Sequence, residues 1–492
     1  MQKTNVCQKS CLLLLCAIIC QVFAACTNTP AAQNQNDSTD AQTQALTENV
    51  AEATDPDYVT ELPEDTDLSG YDFYILARLN ENDYAKTNSW TSHDMDCEAE
   101  NGDPIDDAVY KRNSSIEEKY NCNIHMNYSG DVAGDIKKLV SSGDNTYSIA
   151  LPPSQAAAVM ASEGYLSDLN NMPYINLSKK YWDQGLVSGV KINNKVYFAT
   201  GDIMMMDDDA TWVFYFNKSL VSEYSLKSPY DYVRNDEWTM DTLYKTISSV
   251  SADLDGDGKY TMEDRYGLVT HNGGFGMFQY FGAQPIITSE SGELQITFDN
   301  ERMYKLIEIT TAISKDMTAS YTFTDWSDGV NMFADSKALF YVEVLDKFRH
   351  LRGADVDFGV IPAPKLDEAQ ENYTTAFDAI TSVVVVPSSN TSDEQIGFIL
   401  EAMAGGSVNT LTSAYYDTNL TTKYMRDEDS IEMLEIILRN RIYDLGRFYT
   451  IGGTQGIFSS VISQGNNDFA SQYAKIADKA QTELAKLIEK FA

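Results

Sequence analysis

Residues 253–264 read Asp253-Leu-Asp255-Gly-Asp257-Gly-Lys259-Tyr-Thr261-Met-Glu-Asp264, a spacing suited to a hard cation. Carboxylates at positions 1, 3 and 5 converge, Gly258 permits the sharp turn, Lys259 offers a backbone carbonyl, Thr261 stands at position 9 and Asp264 closes the loop. Calcium (Ca2+) is the expected guest. Glu263 competes for the closing place, because Asp264 is shorter than the usual Glu. Sensor proteins normally pair such loops; a single one reads as a structural staple.

Other chemistry leaves little trace. The chain has four His and no His-Glu-x-x-His, Gly-x-Ser-x-Gly or phosphate-loop pattern, so zinc hydrolase, serine hydrolase and P-loop readings lose their usual support. With 73 acidic residues, a carboxylate pair for glycoside hydrolysis is neither supported nor excluded by position.

The elements that would position such groups need a sizeable core. The chain has 492 residues, 43% hydrophobic and 11% aromatic, which predicts about two to three packed domains. Lys and Arg number 36 against the 73 acids, for a net charge of -37, so nucleic acid and anionic lipid headgroups would be repelled.

Five of seven Cys lie in the first 26 residues. Lys3 and Lys9, the apolar run from Cys11 to Cys20 and the exit Ala24-Ala25-Cys26 follow the order of a secretory signal over residues 1–25. Val22-Phe-Ala-Ala-Cys26 resembles a bacterial lipobox, which implies an acylated Cys26 (palmitate or a similar chain) holding the protein on the extracellular face of the cell membrane. Residues 26–66 are expected to be a disordered acidic tether: Thr27–Thr66 contains nine Asp or Glu, no Lys or Arg and one aromatic, Tyr58. In an oxidising compartment Cys97 and Cys122 either form one disulfide, closing a loop of roughly 25 residues, or remain free thiols.

Beyond the tether, period-2 and helical patterns give strands at 71–77, 123–128 and 147–151 separated by helices at 106–120 and 135–141. That β-α-β-α-β order predicts a mostly parallel sheet with ligands at the carboxyl ends of its strands. Further strands are expected at 195–199, 211–216 and 382–387, and helices at 239–252, 301–314, 393–403, 431–441 and 468–491. No transmembrane helix is expected in the body.

Several stretches resemble, in order, the extracellular solute-binding proteins of family 1, which deliver sugars to ATP-binding cassette importers. They include Gly102–Asn113 with Ile116–Ile124, Ser142–Ile149, Asn193–Phe198, Val213–Leu220, Glu237–Asp241, Phe333–Leu339 and Asp357–Lys365. The resemblance covers about residue 67 onward and implies an α/β, two-lobed periplasmic-binding-protein-like fold with several hinge crossings and an interdomain cleft. The crossings are expected near Thr211, Val360 and Tyr415, giving lobe 1 as 67–211 plus 361–415 and lobe 2 as 212–360 plus 416–492, with the loop 253–264 in lobe 2. That loop is also similar to dockerin-type calcium loops.

For the site that this fold implies, the candidates are Trp90 after the first strand, Ser154 and Gln155 after the third, Asp208 and Asp209 before the first crossing, and His271, Asn272 and Phe275 after the strand that follows the loop 253–264; Trp326, Glu343, Asp378 and Tyr449 match family regions that line the cleft. Asp207 to Asp209 also reads as a solvated acidic loop. The resemblance implies a non-enzymatic, monomeric lipoprotein that captures a carbohydrate, expected to be an oligosaccharide, and passes it to a membrane permease. The alternatives are a secreted calcium-stabilised glycan hydrolase and a glycan-binding surface protein without transport.

Overall fold

The computed structural model describes residues 55–79, 92, 94–289, 292–351, 353–417, 428–465 and 468–492. The signal segment, Cys26, most of the expected tether and Trp90 lie outside the described residues.

Strand β1 (Tyr71–Arg78) buries Phe73, Ile75 and Leu76 and pairs in parallel with β2 (Cys122–Ser129) along its whole length. On its other side β3 (Ile149–Ala150) is also parallel, with Ile75 opposite Ile149. Helix α1 (Pro104–Tyr120) makes the first crossover. It starts where the Asp103 carboxylate accepts from the Ile105 and Asp106 N–H groups, with Pro104 in the first turn, and stops at Asn121 in the left-handed region. Helix α2 (Val132–Ser142) makes the second and ends on Gly143, whose φ of 72° favours glycine.

The expected strands 195–199 and 382–387 are present only as extended chain joined by isolated bridges. Val385 bridges Ala150 and Val384 bridges Ala199, so the fully buried Val383–Val386 run continues the sheet.

Cys97 and Cys122 are free thiols, so the disulfide is not formed. The Asn113 amide, in the middle of α1, donates to the Met95 carbonyl and holds the Cys97 segment there. Cys122 lies beyond the helix end, about 10 Å further along at 1.5 Å per residue. Burial pushes the Cys122 thiol up to about 11.

The second sheet has the order β10-β4-β9-β5-β8, with β4 (Trp212–Asn217), β5 (Tyr266–His271), β8 (Ser320–Phe323), β9 (Ala338–Val344) and β10 (Phe358–Ile361). Between β5 and β8 the chain forms a short antiparallel hairpin of β6 (Ile286–Thr288) and β7 (Leu294–Ile296). β5 runs parallel to β8 and β9, whereas β4 is antiparallel to β9 and β10. Both faces of this sheet are covered. Trp212, Phe214 and Phe216 enter one apolar cluster with Trp238 and Leu268, while Val213 and Tyr215 enter another with Val269 and Tyr341.

Among the described residues, paired segments link the two cores side by side. Thr211 bridges Phe377, and β11 (Thr375–Ala376) pairs in parallel with β12 (Arg441–Ile442). The lobe limits therefore differ from the expected ones. Ile361, Ala363, Leu366 and Tyr373 belong to the second core, which moves that crossing to Ala376–Phe377. Tyr443, Phe448, Ala480, Leu484 and Leu487 belong to the first core, so 416–492 does not lie wholly in lobe 2. The expected helix 468–491 is two helices, Phe469–Ala474 and α3 (Ala477–Lys490): Phe469 and Tyr473 pack into the second core, Ala480 and Leu484 into the first.

Candidate functional site

The carboxyl ends of the strands in both lobes meet beside the crossings. β3 leads to Ser154 and Gln155. The Ser154 hydroxyl donates to the Ala379 carbonyl at 2.6 Å, and the Gln155 amide donates to the Arg447 carbonyl at 3.3 Å. At the end of β1 the Arg78 guanidinium donates to the Ile380 carbonyl at 2.7 Å. Asp378 stands just past the second crossing, where its N–H donates to the Ala210 carbonyl. Arg447 donates to the Phe377 carbonyl at 2.5 Å, lies 3.7 Å from the Asp378 carboxylate, and sits over the Tyr280 ring of the second core at 5.4 Å. Its Nε is buried without a hydrogen-bond partner.

From the second lobe, β5 ends at His271, β8 at Phe323 and β9 at Glu343 and Val344. Trp326 packs its ring against His350 at 4.5 Å and receives the Lys347 ammonium over its face at 5.3 Å. Burial raises Glu343 to about 7; Lys347 opposes the rise, and Asp378 and Asp346 add to it. Burial also lowers His271, with a smaller contribution from Lys347. Planar carboxylate and guanidinium groups beside aromatic faces can take up hydroxyls and apolar ring surface together.

Of the residues named from sequence, Ser154, Gln155 and Asp378 gather on the first-lobe side and His271, Trp326 and Glu343 on the second. Asn272 is exposed beside His271, and its N–H donates to the Phe323 carbonyl. Phe275 is instead buried in the second core, 5.1 Å from Phe278. Tyr449 packs on Phe491 at 6.0 Å, and Arg447, two residues earlier, is the one that reaches the crossings. Arg447, Lys347 and Arg78 were missed. The available signal was a lone cation set among buried apolar positions, as at Leu445-Gly-Arg447-Phe448.

Asp207, Asp208 and Asp209 are buried ion-pair partners, not a solvated loop. Arg441 binds the Asp183 carboxylate at 2.5 Å and that of Asp208 at 2.7 Å, with Asp207 at 3.4 Å. Asp209 is held by Arg349 at 2.7 Å and by the Tyr415 hydroxyl at 2.8 Å. Burial outweighs these partners: Asp207 is pushed well above the usual carboxylate range, Asp208 is also raised, and Asp209 reaches about 6.

In the loop 253–264 the side chains of Asp253, Asp255 and Asp257 bring carboxylate oxygens within 4.8 Å of one another. Gly256 and Gly258 donate their N–H groups to Asp253 at 2.7 and 2.8 Å, and Gly258 has φ 76°. The Asp264 carboxylate accepts from Leu254 and Thr261 N–H groups, both at 2.8 Å, so it closes the loop. The three gathered carboxylates are hard oxygen donors of the kind that suits a calcium ion.

No family model and no curated protein matches the chain. Solved structures do match. The GacH receptor of Streptomyces glaucescens, studied unliganded and with acarbose, is 12% identical over 83% of this chain and 99% of its own, with a TM-score of 0.52. The fold is that of the two-lobed solute-binding proteins. A maltose/maltodextrin-binding domain MalE from Bdellovibrio bacteriovorus, bound to maltotriose, is 11% identical over 85% of this chain and all of its own, with a TM-score of 0.52. UgpB of Mycobacterium tuberculosis, in complex with glycerophosphocholine, is 13% identical over 85% and 99%, with a TM-score of 0.54. In open α/β sheets ligands are expected outside the carboxyl ends of the strands, where Asp378 and Glu343 stand here.

Proposed function

We propose that the chain is the substrate-binding component of an ATP-binding cassette importer, taking a carbohydrate between its lobes without altering it. The observation that carries this reading is that Asp378, beside Arg447 at the crossing strands, lies near enough to Glu343 of the other lobe to raise its carboxyl. Ligand contacts made to both lobes would drive a hinge closure that a permease senses. In this reading the N-terminal segment is a signal and Cys26 carries a lipid anchor at the outer face of the membrane.

An oligosaccharide panel should include one member that raises the melting temperature and binds one to one by calorimetry, with no reducing ends released. At a hundredfold excess over Kd the stabilisation is about 2.7 kcal/mol. A panel with no binder overturns the carbohydrate reading. Release of reducing ends would favour the hydrolase, for which Glu343, held at about 7, is a suitable acid.

Calcium is proposed to staple the second lobe through Asp253, Asp255, Asp257 and Asp264, with the Lys259 carbonyl and Thr261. Adding EGTA should lower the melting temperature, and Asp255→Asn should abolish that response; a melt indifferent to EGTA and calcium would refute the staple.

A further inference from the structure

Beside the crossing segments lies a cavity of about 510 Å³, lined by residues of both cores. Met204 and Met205 come from the chain leading to the first crossing, Leu438 from the helix Glu428–Arg439, and Arg441 from β12. Except for Asp208, none of its lining residues belongs to the set expected to contact the carbohydrate.

Its charge is unbalanced in depth. Asp183, Asp202, Asp207 and Asp208 all line it, and one buried guanidinium, Arg441, serves three of them. The other cations stand on the outside: Lys180 is exposed and bound to Asp55 and Asp57 at 3.1 and 2.9 Å, and Arg439 is exposed. Burying carboxylates beyond the available cations costs several kcal/mol unless a proton or a further cation joins them. Two lining groups retain unused bonding capacity. Asp207, only 2% exposed, has Oδ1 without a partner, and Arg441, with its side chain 8% exposed, has Nε without one.

A metal ion does not suit this pocket. Among the described residues, carboxylate oxygens gather closely enough for one only at Asp253, Asp255 and Asp257. The volume is instead that of a small organic ligand, and the sulfur and aliphatic surfaces of Met204, Met205 and Leu438 offer room for methylenes.

We propose that this pocket binds a small aliphatic amine, its ammonium taken by Asp207 and its neighbouring carboxylates and its hydrocarbon by Met204, Met205 and Leu438. Because the walls come from both cores, the amine biases their arrangement and couples to occupancy of the cleft.

The probe is 1,4-diaminobutane, titrated into the full chain by calorimetry in 150 mM NaCl, with 1,4-butanediol as the uncharged control. The diamine should bind one to one and the diol should not. Asp207→Asn should weaken binding at least tenfold, Leu438→Trp should abolish it by filling the pocket, and the exposed Glu118→Gln should leave it unchanged. If Asp207→Asn fails to fold, Leu438→Trp decides. No heat up to 10 mM diamine, equal binding of the diol, or undiminished binding in the folded pocket variants would overturn the proposal. Binding here is independent of the carbohydrate reading: a sugar-binding chain that ignores the amine defeats this proposal alone.

Discussion

Arg441→Met should destabilise the protein by about 3–5 kcal/mol, the usual cost of removing one partner from a buried ion pair. Arg441 emerges from β12 between the lobes and holds Asp183 and Asp208 through its two terminal nitrogens. Removing it strands at least two carboxylates, and a third at Asp207, whose side chains are little exposed. The deficit should shrink in acid. Carboxyls deprived of their guanidinium take up protons more readily when folded than when unfolded, so the variant gains relative to wild type as pH falls from 8 towards 5. Urea midpoints of both proteins at pH 8, 6.5 and 5 measure this. A loss below about 1 kcal/mol, or a deficit that grows in acid, would show that the cluster is solvated.

The same cluster marks the limit of what the chain reveals by inspection. The β-α-β-α-β start was legible because apolar spacing changes from 2 to 3.6 at each boundary, although α1 begins at Pro104 behind the Asp103 cap, two residues before the expected start. The strand-end rule then pointed to Ser154 and His271, and the resemblance to Glu343, and all three do stand at strand ends. Lobe limits were not legible. A periodic apolar face says that a helix is covered, not which core covers it, and the segment 468–491 changes cores halfway. The aspartates before the first crossing carry no local sign of burial, since the partner of Asp208 is Arg441, 233 positions away. Arg447 was hidden by its neighbours: the aromatic pair Phe448-Tyr449 drew attention, yet Phe448 fills the first core and Tyr449 leans on Phe491.

Buried acids around the crossings also set the protein's own pH response, which should be the second large effect. Burial is the leading cause of the rise in Asp202, Glu343 and Asp444 to about 7 and Asp209 to about 6. Asp444 accepts from the Ile286 N–H, tying α-helical residues 445–449 to the β6–β7 hairpin, so its protonation acts at a contact within the first core. A carboxyl whose folded pKa exceeds its unfolded one binds more protons when folded, so it destabilises the fold at alkaline pH. That penalty is relieved as pH drops from about 8 through the folded values, each pKa unit being about 1.4 kcal/mol. His271 and His350 work the other way: burial lowers both, so their penalty grows below about 6.5. Carboxyls such as Asp135 and Asp367, lowered by Ser129 and Lys305 respectively, lose their contribution only near and below about 4. Three acids at about 7 and one at about 6 outweigh two imidazoles, and the stability maximum is expected between about pH 5 and 6, a few kcal/mol above the value at pH 8. Urea midpoints must be taken in EDTA, because the affinity of the proposed calcium site would itself fall with pH. Asp202→Asn should flatten the slope between pH 8 and 6; a midpoint that climbs steadily to pH 8 would mean that these carboxyls are ionised and fully compensated in the fold.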